Sequence, residues 1–181
     1  MSTLTDIREK VIGIVRDNAG KLLNPEDYYR IITAAINRYS KIKPAPKVAD
    51  ITGNSTHDYT LPPGWIDEFS RIIYIEYPIG DVPATLLDSS DDYEIYQSPT
   101  EKKIRLKNEA PAASASFRVA FTIPRAATTI PDNDVDALCN LASSFCLDEL
   151  ANVYAQSSDS TIGADSVDHK SKSQEYASRA K

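Results

Sequence analysis

The sequence predicts an α+β fold. Helices from both ends of the chain form a bundle, and a small antiparallel β-module is inserted between the second and third helices. Apolar residues recur at helical spacing in residues 1–43 and 131–181. Residues 44–130 instead hold most of the eleven prolines, together with runs of β-branched and aromatic residues. Since each amphipathic helix must bury its apolar stripe, we expect the two terminal parts to pack together, the second part ending in a docking helix.

The first part is predicted to contain two helices. The first covers residues 4–18, with Thr3 or Thr5 as its cap and one apolar face. The second begins after Asn24, because asparagine caps helices and proline suits the first turn. It runs to about Lys41 and stops before the prolines that follow.

The insert is predicted to be a small antiparallel module. Its strands are expected at residues 57–61, 70–77, 93–97, 103–107 and 116–123. The third and fourth of these segments flank a short polar loop, which is typical of a hairpin.

Two features of the insert leave alternatives open. Its aromatic residues favour sheet packing over a protein-contact surface, although tyrosine and tryptophan are enriched in interfaces. They are Trp65, Tyr74, Tyr77, Tyr93 and Tyr96. The proline-rich connections at 44–46 and 110–116 are either loops or arms that order on a neighbouring molecule.

The second helical part is predicted to contain a central helix and a weaker terminal one. Residues 132–156 carry a wide apolar face, which suggests the central helix of a bundle, with Asp132 or Asn133 as its cap. A polar linker at 157–161 leads to a helix over 164–180 with a thin apolar stripe. Such a helix is marginal alone, so it either frays or is completed by a partner.

Composition restricts the class of protein. The 181 residues suit one domain or a domain with an insertion. Cys139 and Cys146 lie about 10 Å apart on one helix face, too far for a disulfide, so we expect both to be free and buried. No apolar run approaches the about 20 residues of a membrane span, and the N-terminus lacks a signal-peptide core. We therefore expect a soluble protein made in the cytoplasm.

The charge distribution argues against nucleic-acid binding as the main function. The net charge is −6, and residues 131–163 contain no Lys or Arg. The acidic residues of this segment are Asp132, Asp134, Asp136, Asp148, Glu149 and Asp159. A nucleic-acid-binding surface is normally basic.

The residues that could suggest a catalytic or metal-binding site lie near the C-terminus. Asp165 and His169 are four apart, and Ser166 and Ser173 are within one helical turn of the histidine. Zinc needs three or four ligands, and a catalytic serine needs a turn and an oxyanion hole, neither of which the sequence offers here. We expect no catalytic site, no metal and no cofactor.

Several segments together resemble the head–tail connector adaptors of tailed bacteriophages, also called head-completion proteins. They are DYTLPPGW at 58–65, IIYIEYP at 72–78, DALCNLASSFCLDELA at 136–151 and TIGADSVDHKSKSQEYASRA at 161–180. The resemblance implies a structural virion protein at the head–tail junction. It implies a homo-oligomeric ring, usually twelvefold, that joins the portal protein to a tail-side neck or tail-terminator protein and passes DNA only as cargo. No membrane is implied.

The same resemblance implies that the C-terminal segment docks on the portal. Apolar contacts would then come from Val167, Tyr176 and Ala177, and polar contacts from Lys170, Lys172 and Arg179. On this view the acidic segment 131–163 either lines the channel, where negative walls limit sticking of DNA phosphates, or faces basic residues of the next subunit. A cellular scaffold or peptide-binding module, or an enzyme without a recognisable motif, are the alternative functions.

Overall fold

A computed structural model of the chain describes residues 2–16, 23–156 and 169–180. The chain divides into two compact units, which we call the helical unit and the β-unit. The helical unit comprises Met1–Lys43 and Arg125–Lys181, and the β-unit comprises Pro44–Pro124. Helices and antiparallel sheets are both present, so the fold class is α+β, as predicted.

The two N-terminal helices begin at the caps that the sequence indicates. Helix α1 (Leu4–Val15) starts with a capping box, in which Thr3 and Asp6 bond to each other's backbone N–H. It ends before the predicted residue 18 because Arg16 adopts a left-handed conformation with φ 66°. In helix α2 (Pro25–Ile42), the side chain of Asn24 accepts a hydrogen bond of 2.9 Å from the Asp27 backbone N–H.

Two further helices complete the helical unit. Helix α3 (Val135–Gln156) follows two short 3-10 turns at Ala127–Thr129 and Asp132–Asp134, the second standing where a side-chain cap was predicted. Helix α4 (His169–Arg179) packs on α3. The predicted linker at 157–161 lies outside the described residues.

The core of the helical unit draws on both ends of the chain. Tyr39 donates a 2.6 Å hydrogen bond to Asp134, and Arg30 pairs with Glu149, so α2 and α3 run antiparallel. Ile7, Val11, Val15, Tyr28, Ile31, Ile32, Ala35, Leu138, Cys139, Ala142, Cys146 and Leu150 are among the buried residues of this core. Both cysteines are free and buried, as predicted.

The β-unit consists of two antiparallel sheets. The first has the strand order β1-β7-β3-β4, and the second has the order β2-β6-β5. The strands are β1 (Ala45–Thr52), β2 (Asp58–Thr60), β3 (Ile72–Glu76), β4 (Leu86–Leu87), β5 (Tyr93–Gln97), β6 (Lys102–Leu106) and β7 (Ser116–Ile123). Both sheets contribute to one apolar core, which includes Tyr59, Ile75, Tyr93, Ile104, Leu106, Phe117, Val119 and Phe121.

Sheet packing accounts for several of the aromatic residues. Tyr93 is buried, and Tyr77 and Trp65 pack against the core. The ring centroids of Trp65 and Phe121 lie 5.9 Å apart. Tyr74 and Tyr96 are instead half-buried outside this core.

The proline-rich connections are part of the β-unit. Residues 45–52 form edge strand β1, which sequence analysis missed; proline is tolerated on an edge strand because one side of the strand needs no ladder partner. Pro111 is buried, and its carbonyl accepts hydrogen bonds from Ser55 N–H and Tyr59 Oη. Neither connection is a free arm.

The second boundary of the β-unit falls at Pro124, where the sequence had placed it at residue 130. The backbone N–H of Arg125 donates a 3.0 Å hydrogen bond to the buried Ser40 hydroxyl. Ile130 is 3% exposed and belongs to the helical core. Residues 125–130 therefore bond to α2 and contribute to the core of the helical unit.

Replacing Gly13 in α1 by alanine should stabilise the protein by about 0.5–1 kcal/mol. A Cβ atom at Gly13 would meet nothing within 4 Å, so the helix propensity of alanine acts without a steric cost. Urea unfolding measures the change in free energy.

The matched control is Gly53→Ala, which should destabilise the protein. A Cβ atom there would lie 2.3 Å from the Ala112 carbonyl oxygen and 2.4 Å from that of Pro111. A Gly13→Ala protein less stable than the unmodified chain would contradict the open environment of Gly13.

Candidate functional site

Helix α4 carries the residues predicted to dock on a partner, and the structure describes them only in part. Val167 lies outside the described residues, as do the side chains of Lys170 and Lys172. Tyr176 and Ala177 are half-buried, and Arg179 is exposed.

The aromatic side chain of α4 contacts its own chain. The Tyr176 ring stacks on Tyr154 of α3, with centroids 5.4 Å apart and an interplanar angle of 18°. Arg179 donates to the Val15 carbonyl at 3.3 Å, and its guanidinium lies 5.8 Å from the Tyr176 ring centroid. Helix α4 therefore has an intrachain docking surface. The sequence did not reveal it because Tyr154 is one of many apolar residues on the wide face of residues 132–156. Portal contact by these residues stays a prediction.

Three of the six acids in the acidic segment pair with basic residues of the N-terminal part of the chain. Asp136 pairs with Lys10 at 3.1 Å, Asp134 pairs with Lys43 at 2.6 Å, and Glu149 pairs with Arg30. The Lys43 ammonium and the Tyr39 hydroxyl lower the pKa of Asp134. These partners are about a hundred residues away in sequence, so their proximity could not be read from local spacing. Asp159 lies outside the described residues.

A polar cluster joins the three strands of the second sheet. Arg105 on β6 bonds to both carboxylate oxygens of Asp58 on β2, at 2.7 and 3.0 Å. Tyr96 on β5 donates to the same carboxylate at 2.8 Å, and the guanidinium lies 3.8 Å from the Tyr96 ring centroid. Bonds from Arg105, then Tyr96, lower the pKa of Asp58 to about 2. The carboxylate of Asp58 is bonded by residues of both neighbouring strands, so the cluster joins β2, β6 and β5.

A second polar cluster supports the loop between β3 and β4. Arg118 bonds to both oxygens of Asp50, at 2.8 and 3.0 Å, and lies 3.6 Å from the Glu76 carboxylate. Glu76 is buried, and its carboxylate also accepts a 3.1 Å hydrogen bond from the Gly80 backbone N–H. Gly80 has φ 96°, a conformation that favours glycine. These bonds anchor residues 77–85, which we call the β3–β4 loop.

His57 and the two cysteines are further titratable groups with defined surroundings. His57 Nδ1 lies 2.8 Å from the Leu106 carbonyl oxygen. Burial raises the pKa of the Cys146 thiol to about 12 and also raises that of Cys139. Across residues 2–16, 23–156 and 169–180, no group of three His, Cys, Asp or Glu residues is placed to hold a metal ion. Within the same ranges no helix is long and apolar enough to cross a membrane.

Asp165 and Ser166 lie outside the described residues, as do the side chains of His169 and Ser173. The expectation that the protein is not an enzyme stays a prediction.

Lowering the pH should remove the contribution of Asp58 to stability. Because the pKa of Asp58 is about 2 in the folded protein against an ordinary 3.8, this contribution is present above 3.8 and is lost as the pH falls towards 2. Asp58→Asn should be less stable than the unmodified protein at neutral pH, and the gap should close over this range. Urea midpoints across the pH series measure it, with the exposed Asp91→Asn as control. A pH-independent gap for Asp58→Asn would refute the assignment.

Removing the Tyr176 ring should loosen α4 from α3. An aromatic pair contributes about 0.5–1.5 kcal/mol beyond its buried area, so Tyr176→Ala should raise the hydrogen-exchange rates of α4 amides several-fold. Ser178→Ala on the exposed side of α4 is the control and should leave the rates unchanged. Equal rates in both variants would show that the stack does not hold the helix.

Comparison with known proteins gives a distant likeness to solved structures. No protein-family model matches the chain, and no curated protein matches it. A solved structure described as the neck of an empty GTA particle, computed with C6 symmetry, is similar to it over 85% of this chain and 79% of that one. The identity is 11% and the TM-score is 0.30. A likeness at this level does not show a shared family or function.

Proposed function

We propose that this protein is a structural component of a tailed-phage virion, a ring-forming adaptor between the portal and the tail-side neck. One architectural observation carries the proposal. The helical unit is assembled from both ends of the chain, Met1–Lys43 and Arg125–Lys181, and the β-unit is inserted between them. This is the layout that the sequence resemblance implies, and the residues of that resemblance lie in both units.

The proposed partners are the portal protein, a tail-side neck or tail-terminator protein, and further copies of this chain in a ring, twelvefold like the portal. DNA passes through the ring as cargo. The proposed portal-facing residues are Val167, Lys170, Lys172, Tyr176, Ala177 and Arg179. Since one face of the Tyr176 ring covers Tyr154, its contribution to a portal contact would come from the part of the ring left exposed.

A specific observation favours a peptide-binding module as the second candidate. Strand β1 stands at the edge of its sheet and pairs only with β7 among the described strands. An open edge of eight residues can accept an extended peptide by strand addition. Pro46, Lys47 and Asp50 weigh against this function, because proline and charge are devices that protect an edge from pairing.

The decisive experiment is electron microscopy of the chain mixed with the portal protein encoded in the same genome. The proposed function predicts an additional ring on one face of the portal. Portals without added density would contradict it, whereas oligomeric state without the portal carries less weight because proteins of this kind often assemble only on the portal.

The double variant Val167→Asp with Tyr176→Asp should abolish ring assembly on portals, because two carboxylates would be buried at the contact. Tyr154→Ala is the matched control, since it removes the intrachain stack with Tyr176 and leaves the proposed contact residues intact. Rings should form with Tyr154→Ala and be absent with the double variant. Normal rings with the double variant would show that α4 is not the portal-docking element.

A further inference from the structure

Two apolar side chains are far more exposed than the others that the structure describes. Val82 in the β3–β4 loop is 96% exposed, and Ile42 at the end of α2 is 82% exposed. Single exposed apolar residues are ordinary on protein surfaces, so exposure alone indicates nothing. Each is preceded by a charged residue, and the two charges are opposite in sign: Asp81 precedes Val82, and Lys41 precedes Ile42. Val48 after Lys47 and Ile95 after Glu94 share this pattern but are only 51% and 39% exposed, so Val82 and Ile42 are singled out by exposure and charge together.

The β3–β4 loop presents Val82 on an ordered base. Tyr77 N–H donates to the Thr85 carbonyl at 3.0 Å, and the Thr85 hydroxyl donates to Asp81 at 3.0 Å. The Glu76 carboxylate accepts a hydrogen bond from the Gly80 backbone N–H. Pro83, Ala84 and Leu86 extend the exposed apolar surface beyond Val82. Because these bonds exist before any partner arrives, less conformational entropy is lost when the loop binds.

The end of α2 is equally well defined. The backbone N–H of Lys43 closes the helix on the Tyr39 carbonyl at 2.9 Å, and the Lys43 ammonium is held by Asp134 at 2.6 Å. Lys41 is exposed and has no ion-pair partner among the described residues. A cation at a helix C-terminus is favoured by the helix dipole but is free to pair with an incoming carboxylate.

We propose that the β3–β4 loop of one copy docks on the end of α2 of a second copy, with Val82 against Ile42 and Asp81 against Lys41. The charges are complementary and the apolar side chains adjoin them on both surfaces. Val82 and Ile42 are both exposed, so each surface is open to a second copy. The contact joins two different surfaces, so it is heterologous, and such contacts close into a ring when the rotation between copies allows it. For ring closure, but not for the contact itself, the inference rests on the proposed function.

Engineered disulfides can test the contact because the native cysteines do not interfere. Cys139 and Cys146 are both buried. Full-length I42C and V82C are mixed at high concentration with oxidised glutathione, and disulfide-linked dimers are separated and identified by mass. The proposal expects the mixed I42C–V82C dimer to exceed both homodimers. I14C is the matched control partner for V82C, since Ile14 is an exposed apolar residue of α1, 42% exposed.

Charge exchange tests the second half of the contact. K41E in the I42C chain should lower the yield of mixed dimer about two- to fivefold, the range for an exposed ion pair. D81K in the V82C chain should restore it, which a general folding defect would not do. E109K in the V82C chain reverses an exposed acid away from the loop and should restore nothing. Strong salt should also lower the yield through screening.

Three results would overturn the proposal: a mixed dimer no more abundant than V82C–I14C, an I42C–V82C disulfide formed within a doubly substituted chain, or failure of D81K to rescue K41E. Failure of the proposed function is distinguishable. If the mixed dimer forms but portals are never decorated, the contact stands and the adaptor function falls. If portals carry rings in which the doubly substituted chain forms no I42C–V82C disulfide between neighbouring copies, the function stands and this contact falls.

Discussion

Burial of α3 is the constraint on which the helical unit depends. This helix carries apolar residues over a wide arc, and the buried residues that cover them come mainly from helices at the other end of the chain. Helices α1 and α2 supply most of that cover, and α4 adds the Tyr154–Tyr176 stack. Because the covering helices precede the β-unit and α3 follows it, the helical core cannot form until the chain has passed through all of Pro44–Pro124 and returned.

Polar contacts then orient the helices that the apolar core brings together. Lys10, Arg30 and Lys43 each meet an acid of the segment that follows the β-unit. Exposed ion pairs of this kind contribute little stability individually, and the pairs of Arg30 and Lys43 match the antiparallel register of α2 and α3. The same pairing reduces the negative charge that the sequence alone assigns to residues 131–163. A surface for DNA or for a neighbouring subunit has to be judged from the charges that remain unpaired.

Much of the fold was predictable, because its signals are local. Caps at Thr3 and Asn24, the β5–β6 hairpin and strand β7 follow from capping chemistry and alternation within a few residues. Strand β1 was missed because a proline such as Pro46 usually indicates a loop. Only the pairing with β7 on one side shows that Pro46 lies on an edge strand. The interaction surfaces were less predictable. No local pattern indicates that Tyr176 finds Tyr154, or that Val82 and Ile42 are left uncovered.

The hydrogen bonds of Arg125 have a consequence for how such a chain can vary. Its Nε donates to the Lys43 carbonyl at 2.7 Å, its backbone N–H to Ser40 at 3.0 Å, and its guanidinium also reaches the Thr129 carbonyl. Lys43, the last residue before the β-unit, and Arg125, the first residue after it, are therefore hydrogen-bonded to each other within the helical unit. Contacts outside the β-unit hold this junction closed. The entropic cost of closing the inserted segment grows only slowly with its length. We therefore expect that inserted domains of other sizes could replace the β-unit without changing the register of α2 and α3.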